Sequence, residues 1–223
     1  MTGLRQKRGQ VIVFYRGTLL EIVSSGLGDI PPSFVRLSGP EPGAKPFSNK
    51  KPMPAPGREY NEKMIGIMSD SHDNLTAVRL AVRLFNESKC DLVIHAGDFV
   101  APFAALELHN LICPVKAVFG NCDGEKKGLT AAFDGMGQIA EAPLGFDHAG
   151  RRFLVSHLEI PVPSRRGART CDVLVFGHTH RAKSRREHGV LIVNPGEAGG
   201  WLHGKCTVAL LDPKDLSVKI VTL

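Results

Sequence analysis

The stretch that most constrains the fold is VLVFGHTH, residues 173–180. Its four apolar residues predict a buried strand that ends at Gly177. His178 and His180 follow two positions apart, so their side chains can point to the same side of an extended or loop backbone. Two neutral imidazoles placed there can bind one cation, or one each of two neighbouring cations, and a merely polar loop is the alternative.

Three earlier apolar segments also end in polar loops. MIGIMS ends in Asp70-Ser71-His72, DLVIHAGD ends in Gly97-Asp98, and VKAVFGNCDG ends in Gly120-Asn121-Cys122-Asp123. After the first loop, apolar residues recur at helical spacing over 75–87, and Asn74 is suited to cap that helix. Repeated strand–loop–helix units predict a parallel sheet buried on both faces, and ligands collect at the carboxyl ends of such strands.

The sequence after Gly128 changes to short strands separated by tight turns. This pattern predicts a second sheet, largely antiparallel. The fold class we predict is therefore α/β, a two-sheet β-sandwich flanked by helices in four layers, αββα.

The first 63 residues differ in composition from the rest of the chain. They carry +5 of the net charge of +6, and residues 31–56 hold eight of the fifteen prolines. We expect residues 1–63 to be a basic, Pro-rich leader that is flexible or belongs to an over-extended start, and residues 64–223 to be the folded domain. Within the leader, VIVFYRGTLLEIV has a hairpin-like pattern with Gly17 near its turn.

Composition narrows the class of protein. No stretch approaches the length of uninterrupted apolar sequence that a membrane helix needs, so no membrane partner is expected. Five cysteines without CxxC spacing argue for reduced thiols and a cytoplasmic location. Because the basicity lies in the leader, nucleic-acid binding is not expected of the domain, although the leader could tether nucleic acid.

The polar residues at the strand ends form one candidate site. Its members are Asp70, His72, Asp98, Asn121, His157, His178 and His180. Each loop is a weak signal by itself, and His157, after the apolar FLVS, could be a core histidine. Together, carboxylate, imidazole and carboxamide ligands suit divalent metals such as manganese, iron or zinc.

The ordered set DSH, GD, GNCD, a lone His and GHTH resembles the calcineurin-like metallophosphoesterases. The later VNPGEAGGWLHGKCTVALLD is similar to the small archaeal and bacterial phosphodiesterase branch. The resemblance covers residues 64–223 and none of the leader. It implies a metal-dependent phosphodiesterase in which a hydroxide that bridges two metal ions attacks phosphorus in line.

The resemblance also implies a role for each site residue. Asp70, His72 and His180 would hold the first metal, Asp98 would bridge to the second, and Asn121, His157 and His178 would complete the second metal's ligands. The catalytic residues would be Asp98, Asn121 and His178. Two divalent ions are expected as cofactors, with manganese first and nickel, iron, zinc or magnesium as alternatives. The expected partner is a small phosphodiester substrate, and a homo-oligomer is left open.

Three departures from the family pattern stand out. Cys122 lies where many members have a histidine that protonates the leaving group. His157 is followed by Leu158-Glu159 rather than Gly-His. Pro161 and Pro163 oppose the helix that family members usually have before the strand predicted at residues 173–176.

Four other residues bear on the site or its surroundings. Asp123 could accept a hydrogen bond from a ligand histidine or could be a turn carboxylate. Trp201 and His203 could line the substrate cleft, and His95, inside a strand, is expected to be structural.

The rival to the enzyme is an interaction scaffold of the same fold, as in a eukaryotic retromer subunit that resembles the family. A scaffold can lose metal-site histidines, whereas this chain keeps all seven positions.

Overall fold

The computed structural model describes residues 63–162 and 171–223, and it describes residues 10–15 and 18–23 by their backbone pairing. In the leader, β1 (Gln10–Tyr15) pairs antiparallel with β2 (Thr18–Val23), which agrees with the hairpin-like pattern. The remaining leader residues lie outside the described part, so the domain boundary at Met64 stays a prediction.

The first large sheet has six strands in the order β13-β12-β3-β4-β5-β6. Its parallel part consists of β3 (Met64–Met68), β4 (Cys90–His95), β5 (Val115–Val118) and β6 (Gly137–Ala140). The hairpin of β12 (Thr207–Asp212) and β13 (Ser217–Thr222) adds to β3 in antiparallel fashion. The parallel sheet predicted from the strand–loop–helix units is therefore present.

Helices follow the parallel strands. They are α1 (Leu75–Glu87), α2 (Pro102–Leu106) with a 3₁₀ turn at Glu107–Asn110, and α3 (Lys126–Ala132). The Asn74 carboxamide oxygen accepts the N–H of Ala77 at 3.1 Å, so Asn74 caps α1 as predicted. The apolar face of α1, including Val78, Val82 and Phe85, is buried against the first sheet.

The second sheet differs from the prediction. Its strands are β7 (Leu144–His148), β8 (Arg151–Val155), β9 (Val173–Val175), β10 (Lys183–Glu187) and β11 (Val190–Asn194), in the order β10-β11-β9-β8-β7. The expected antiparallel pairing holds only at the edges, because β8, β9 and β11 run parallel. Moreover, β6, β12 and β13 join the first sheet, although the sequence after Gly128 predicts a second sheet.

The two sheets pack face to face through one apolar layer. Ile65, Ile67 and Val118 of the first sheet are buried against Val173 and Val193 of the second. A two-sheet sandwich with helices on its flank is thus present. On the outer face of the second sheet, Ile160 and Val162 pack against a smaller apolar cluster, and the described residues up to 162 form no helix there, as Pro161 predicts. Within the described part of the chain, no helix is long and apolar enough to cross a membrane.

The close packing of α1 on β3 predicts that Gly66→Ala is destabilising. A Cβ at Gly66 would lie 2.6 Å from Cδ1 of Phe85, a ring that is fully buried. The ring cannot move without opening the core, so we expect a loss of about 1–3 kcal/mol in the free energy of unfolding. Gly145→Ala, in β7, is the matched control because its nearest contact would be 3.8 Å. Urea unfolding that gives equal stability for both variants would contradict this account.

Candidate metal centre

The carboxyl ends of five parallel strands meet at one edge of the sandwich. The loop after β3 carries Asp70 and His72, the loops after β4 and β5 carry Asp98 and Asn121, the loop after β8 carries His157, and the loop after β9 carries His178 and His180. The structure brings all seven predicted side chains together. Their assignment as metal ligands stays a prediction, which the geometry supports in the following ways.

The first half of the site joins Asp70, His72 and His180. Nε2 of His180 lies 3.4 Å from Oδ1 of Asp70, and Nε2 of His72 lies 3.9 Å from the same oxygen. The two imidazole rings stack with centroids 5.1 Å apart. These three residues form one of the groups whose ligand atoms all lie within 4.8 Å of one another.

The second half is built around Asn121. Its Oδ1 lies 2.8 Å from Nε2 of His157 and 2.9 Å from Nδ1 of His178. Asp98 connects the halves, since its Oδ2 is 3.4 Å from Nε2 of His157 and 3.7 Å from Nε2 of His72. Asp98 therefore lies between the two halves of the cluster.

The backbone at the site is held in an unusual conformation. Five of the seven residues have positive φ, namely Asp70 (53°), His72 (40°), Asp98 (61°), His178 (64°) and His180 (58°). Such angles are uncommon for residues other than glycine, and they persist only where the surrounding structure fixes them. Their concentration in these loops supports the prediction of a functional site at this edge.

Two glycines leave room for the carboxylates. A Cβ at Gly177 would lie 1.9 Å from Oγ of Ser69 and 2.6 Å from Oδ2 of Asp70. A Cβ at Gly120 would lie 2.1 Å from Oδ1 of Asp98. Close approach, rather than backbone freedom, explains glycine in the GHTH and GNCD motifs.

Asp123 fixes the loops after β4 and β5. Its Oδ1 accepts the N–H groups of Phe99 and Val100 at 2.7 and 2.8 Å, and its Oδ2 accepts those of Asp98 and Gly120 at 3.0 and 2.7 Å. Of the two roles left open by the sequence, the turn carboxylate is therefore correct. Asp123 binds the backbone that carries the site rather than a ligand histidine.

Glu197 is a site residue that sequence reasoning missed. It is 1% exposed, and its Oε1 lies 3.2 Å from Nδ1 of His180, in a geometry that is not a hydrogen bond. The carboxylate accepts the backbone N–H groups of Trp201 and Leu202. The available signal was an acidic residue within the otherwise apolar and small-residue run NPGEAGG.

Asn194 was missed as well. Its Nδ2 donates to the carbonyl of Gly177 at 2.7 Å and to Oγ1 of Thr179 at 3.0 Å, while its Oδ1 accepts the N–H of Gly196. One buried carboxamide thereby sets the curvature of the GHTH loop.

His95 is structural as predicted: it is buried beneath the site, and burial lowers the pKa of its imidazole to about 3.

The electrostatics of the two carboxylates differ. Burial raises the pKa of Asp70 above its ordinary value. Burial acts in the same direction on Asp98, but hydrogen bonds from His157 and from the Cys122 N–H outweigh it, and the pKa of Asp98 is lowered. Partial desolvation and the neighbouring Asp98 raise the pKa of the Cys122 thiol to about 11, although the residue as a whole is exposed.

The side chains fit a divalent cation. Nε2 of His72 is buried without a hydrogen-bond partner, although it faces the carboxylates of Asp70 and Asp98. A buried polar atom is normally satisfied, because leaving it unpaired costs free energy. Ligand atoms that share one cation lie about 3–4 Å apart, which matches the separations around His72.

A comparison with known protein families matches the same part of the chain. The model of the calcineurin-like phosphoesterase superfamily domain matches residues 64–216, the part of the chain that carries every site residue. The chain belongs to the calcineurin-like phosphoesterase superfamily. The family predicted from the ordered motifs is thereby confirmed.

Members of the superfamily from archaea and bacteria are similar over most of their length. A phosphodiesterase of Methanocaldococcus jannaschii is 34% identical over 167 residues, which is 71% of this chain and 98% of the relative. A probable metallophosphoesterase of Bacillus subtilis is 33% identical over 133 residues, covering 58% of this chain and 72% of that protein. The solved structure of an archaeal phosphodiesterase matches with a TM-score of 0.64 and 31% identity, covering 72% of this chain and 99% of that one.

The four hydrogen bonds to Asp123 predict that Asp123→Asn is strongly destabilising. Each carboxylate oxygen accepts two backbone N–H groups. The side-chain NH₂ group of an asparagine would replace one oxygen, so it would face two N–H donors that it cannot accept. We expect a loss of about 2–4 kcal/mol in the free energy of unfolding, measured by urea denaturation. Asp134→Asn, at an exposed position, is the control. A variant as stable as the control would show that Asp123 does not hold these loops.

Proposed function

We propose that this superfamily member is a metal-dependent phosphodiesterase that uses two divalent cations, with manganese as the first candidate. The observation that carries the proposal is the convergence of seven side chains, of three metal-ligand types, from five loops around Asp98, with Nε2 of His72 buried and unpaired. When bound, divalent ions would lower the pKa of a water nucleophile and stabilise charge that develops on the phosphate.

The net charge of the proposed site suits an anionic phosphodiester. Asp70 and Asp98 bring two negative charges and the other five ligands are neutral, so two divalent ions together with a hydroxide nucleophile would leave a net charge of about +1. That surplus faces a phosphodiester with a single negative charge. Asn121 adds an oxygen ligand without cancelling it, and its amide could also donate to a phosphate oxygen.

The shape of the site favours access from one side. Asp70, Asp98 and His157 are buried and form the floor, whereas Asn121 and His178 are exposed. A phosphoester could therefore approach over Asn121 and His178 while the carboxylates stay shielded from water. Shielding strengthens the attraction between the carboxylates and the cations.

The cluster predicts that activity depends on metal. Chelation should abolish hydrolysis of an aryl phosphodiester, manganese should restore it, and the protein should bind two ions per chain by elemental analysis. Asp98→Ala should lower kcat/KM by about 10³-fold or more, and by more than His180→Ala, because Asp98 contacts both halves of the site. Asp147→Ala, an exposed carboxylate on β7, should retain full activity.

One result would favour the scaffold instead. If the reconstituted protein holds only trace metal and hydrolyses no phosphoester, the seven residues are not an active metal centre. If the protein binds two ions but hydrolyses no phosphoester, the metal-site prediction holds and the proposed enzymatic activity is wrong.

The proposed substrate class is diesters with good leaving groups, because a general acid is missing from its usual place. Cys122 is exposed beside Asn121, and its backbone N–H donates to Asp98 Oδ1 at 2.8 Å. A thiol matches proton donation at neutral pH less well than an imidazole. Aryl diesters, whose leaving groups depart unaided, should therefore react much faster than alkyl monoesters.

Variants at Cys122 check this preference. Cys122→Ala should change aryl-diester turnover by less than about threefold, whereas Cys122→His should raise alkyl-monoester turnover, because general-acid help is worth about 10²–10⁴-fold. Metal content is measured in parallel. A hundredfold loss in Cys122→Ala at unchanged metal content would assign the thiol a catalytic role.

A further inference from the structure

Trp201 is an exposed aromatic residue fixed beside the candidate metal centre. It is the one tryptophan of the chain, and 65% of it is exposed. Its indole Nε1–H donates to the backbone carbonyl of His72 at 3.1 Å. Its backbone N–H donates to Oε1 of buried Glu197 at 2.7 Å. The residue is thus held through its backbone and through its indole N–H, while much of the ring surface meets solvent.

The backbone beneath the ring is tied to the site as well. The N–H of Gly199 donates to the carbonyl of Asp70 at 2.9 Å, and the carbonyl of Gly199 accepts from Nδ2 of Asn74 at 2.7 Å. A Cβ at Gly199 would lie 2.8 Å from the carbonyl oxygen of Ser71 and 3.0 Å from Cδ1 of the indole, so glycine at this position makes room both for the loop after β3 and for the ring. Trp201 therefore sits on a support that is continuous with the ligand loop after β3.

Core packing does not account for this placement. Trp and its neighbour Leu202, which is 68% exposed, bury too little surface to stabilise the fold strongly. A large ring with its polar end satisfied and its apolar surface open to solvent is the arrangement found at binding sites. The backbone carbonyl of His72 accepts the indole N–H, and the imidazole of the same residue lies in the cluster. His72 therefore links Trp201 directly to the candidate metal centre.

We propose that Trp201 is a specificity-determining residue that stacks against a flat ring in the non-leaving half of the substrate. The ring would be an aryl group or a nucleobase whose phosphate lies at the metal cluster. This inference rests on the proposed phosphodiesterase function and adds the substrate class to it. Stacking of a base on an aromatic side chain is worth roughly 5- to 100-fold in affinity.

Two diesters with the same leaving group test the inference. Bis(p-nitrophenyl) phosphate and methyl p-nitrophenyl phosphate both release p-nitrophenolate, but only the first keeps a flat ring on phosphorus. Trp201→Ala should raise KM for the first about tenfold with little change in kcat, and it should leave the second unchanged within about twofold. Trp201→Phe should keep most of the preference, because a smaller ring can still stack.

Leu202→Ala is the matched control, since Leu202 is equally exposed and its backbone also binds Glu197. It should leave both substrates unaffected. An equal loss on both diesters in Trp201→Ala would show that the ring only supports the loop, and no loss on either would show that it does not contact substrate. Either result overturns the inference while leaving the phosphodiesterase in place.

If the metal-loaded protein hydrolyses neither diester, the proposed function has failed and binding decides the inference. Because Trp201 is the only tryptophan, its fluorescence reports contact with a ring directly. Titration with AMP should quench the fluorescence saturably, whereas ribose 5-phosphate, which lacks the base, should not. Equal responses to both, or no response to AMP, would overturn the inference.

Discussion

The structure depends on burying two carboxylates where the two sheets meet. Asp70 is fully buried and Asp98 is 1% exposed, and no lysine or arginine pairs with either one among the described contacts. Buried charge without compensation costs several kcal/mol. Imidazoles and backbone N–H groups supply part of the compensation, and the separations between ligand atoms leave the rest to cations.

The loops hold this arrangement through side chains that bind mainly backbone groups. Asp123 gathers four N–H groups from two loops of the first sheet, and Asn194 ties the GHTH loop of the second sheet to the chain after β11. Main-chain bonds such as Asp70 N–H to Gly97 O at 2.9 Å continue the sheet pairing beyond the strands. The positions of the candidate ligands are therefore fixed by hydrogen bonds that continue from the sandwich, and a reacting site needs such preorganisation.

The segment 197–202 connects this centre to its surroundings. Glu197 approaches His180 on one side and holds the backbone of Trp201 on the other, while the indole reaches His72. The same few residues thus contact both ends of the first ligand group and present an aromatic ring at the rim. One short stretch of chain thus joins two candidate ligands to the ring that we propose contacts the substrate.

The sequence by itself determined the strand-end motifs, the cap at Asn74, the buried parallel strands and the family, because each of these depends on local residue patterns. It did not determine which sheet receives a strand: β6, β12 and β13 joined the first sheet, since strand pairing is a contact between distant segments that alternation cannot specify. The roles of Asp123, Asn194 and Glu197 were likewise decided only by tertiary structure. A carboxylate or carboxamide has the same local pattern whether it faces solvent or buried N–H groups, and only the folded chain places those donors around it.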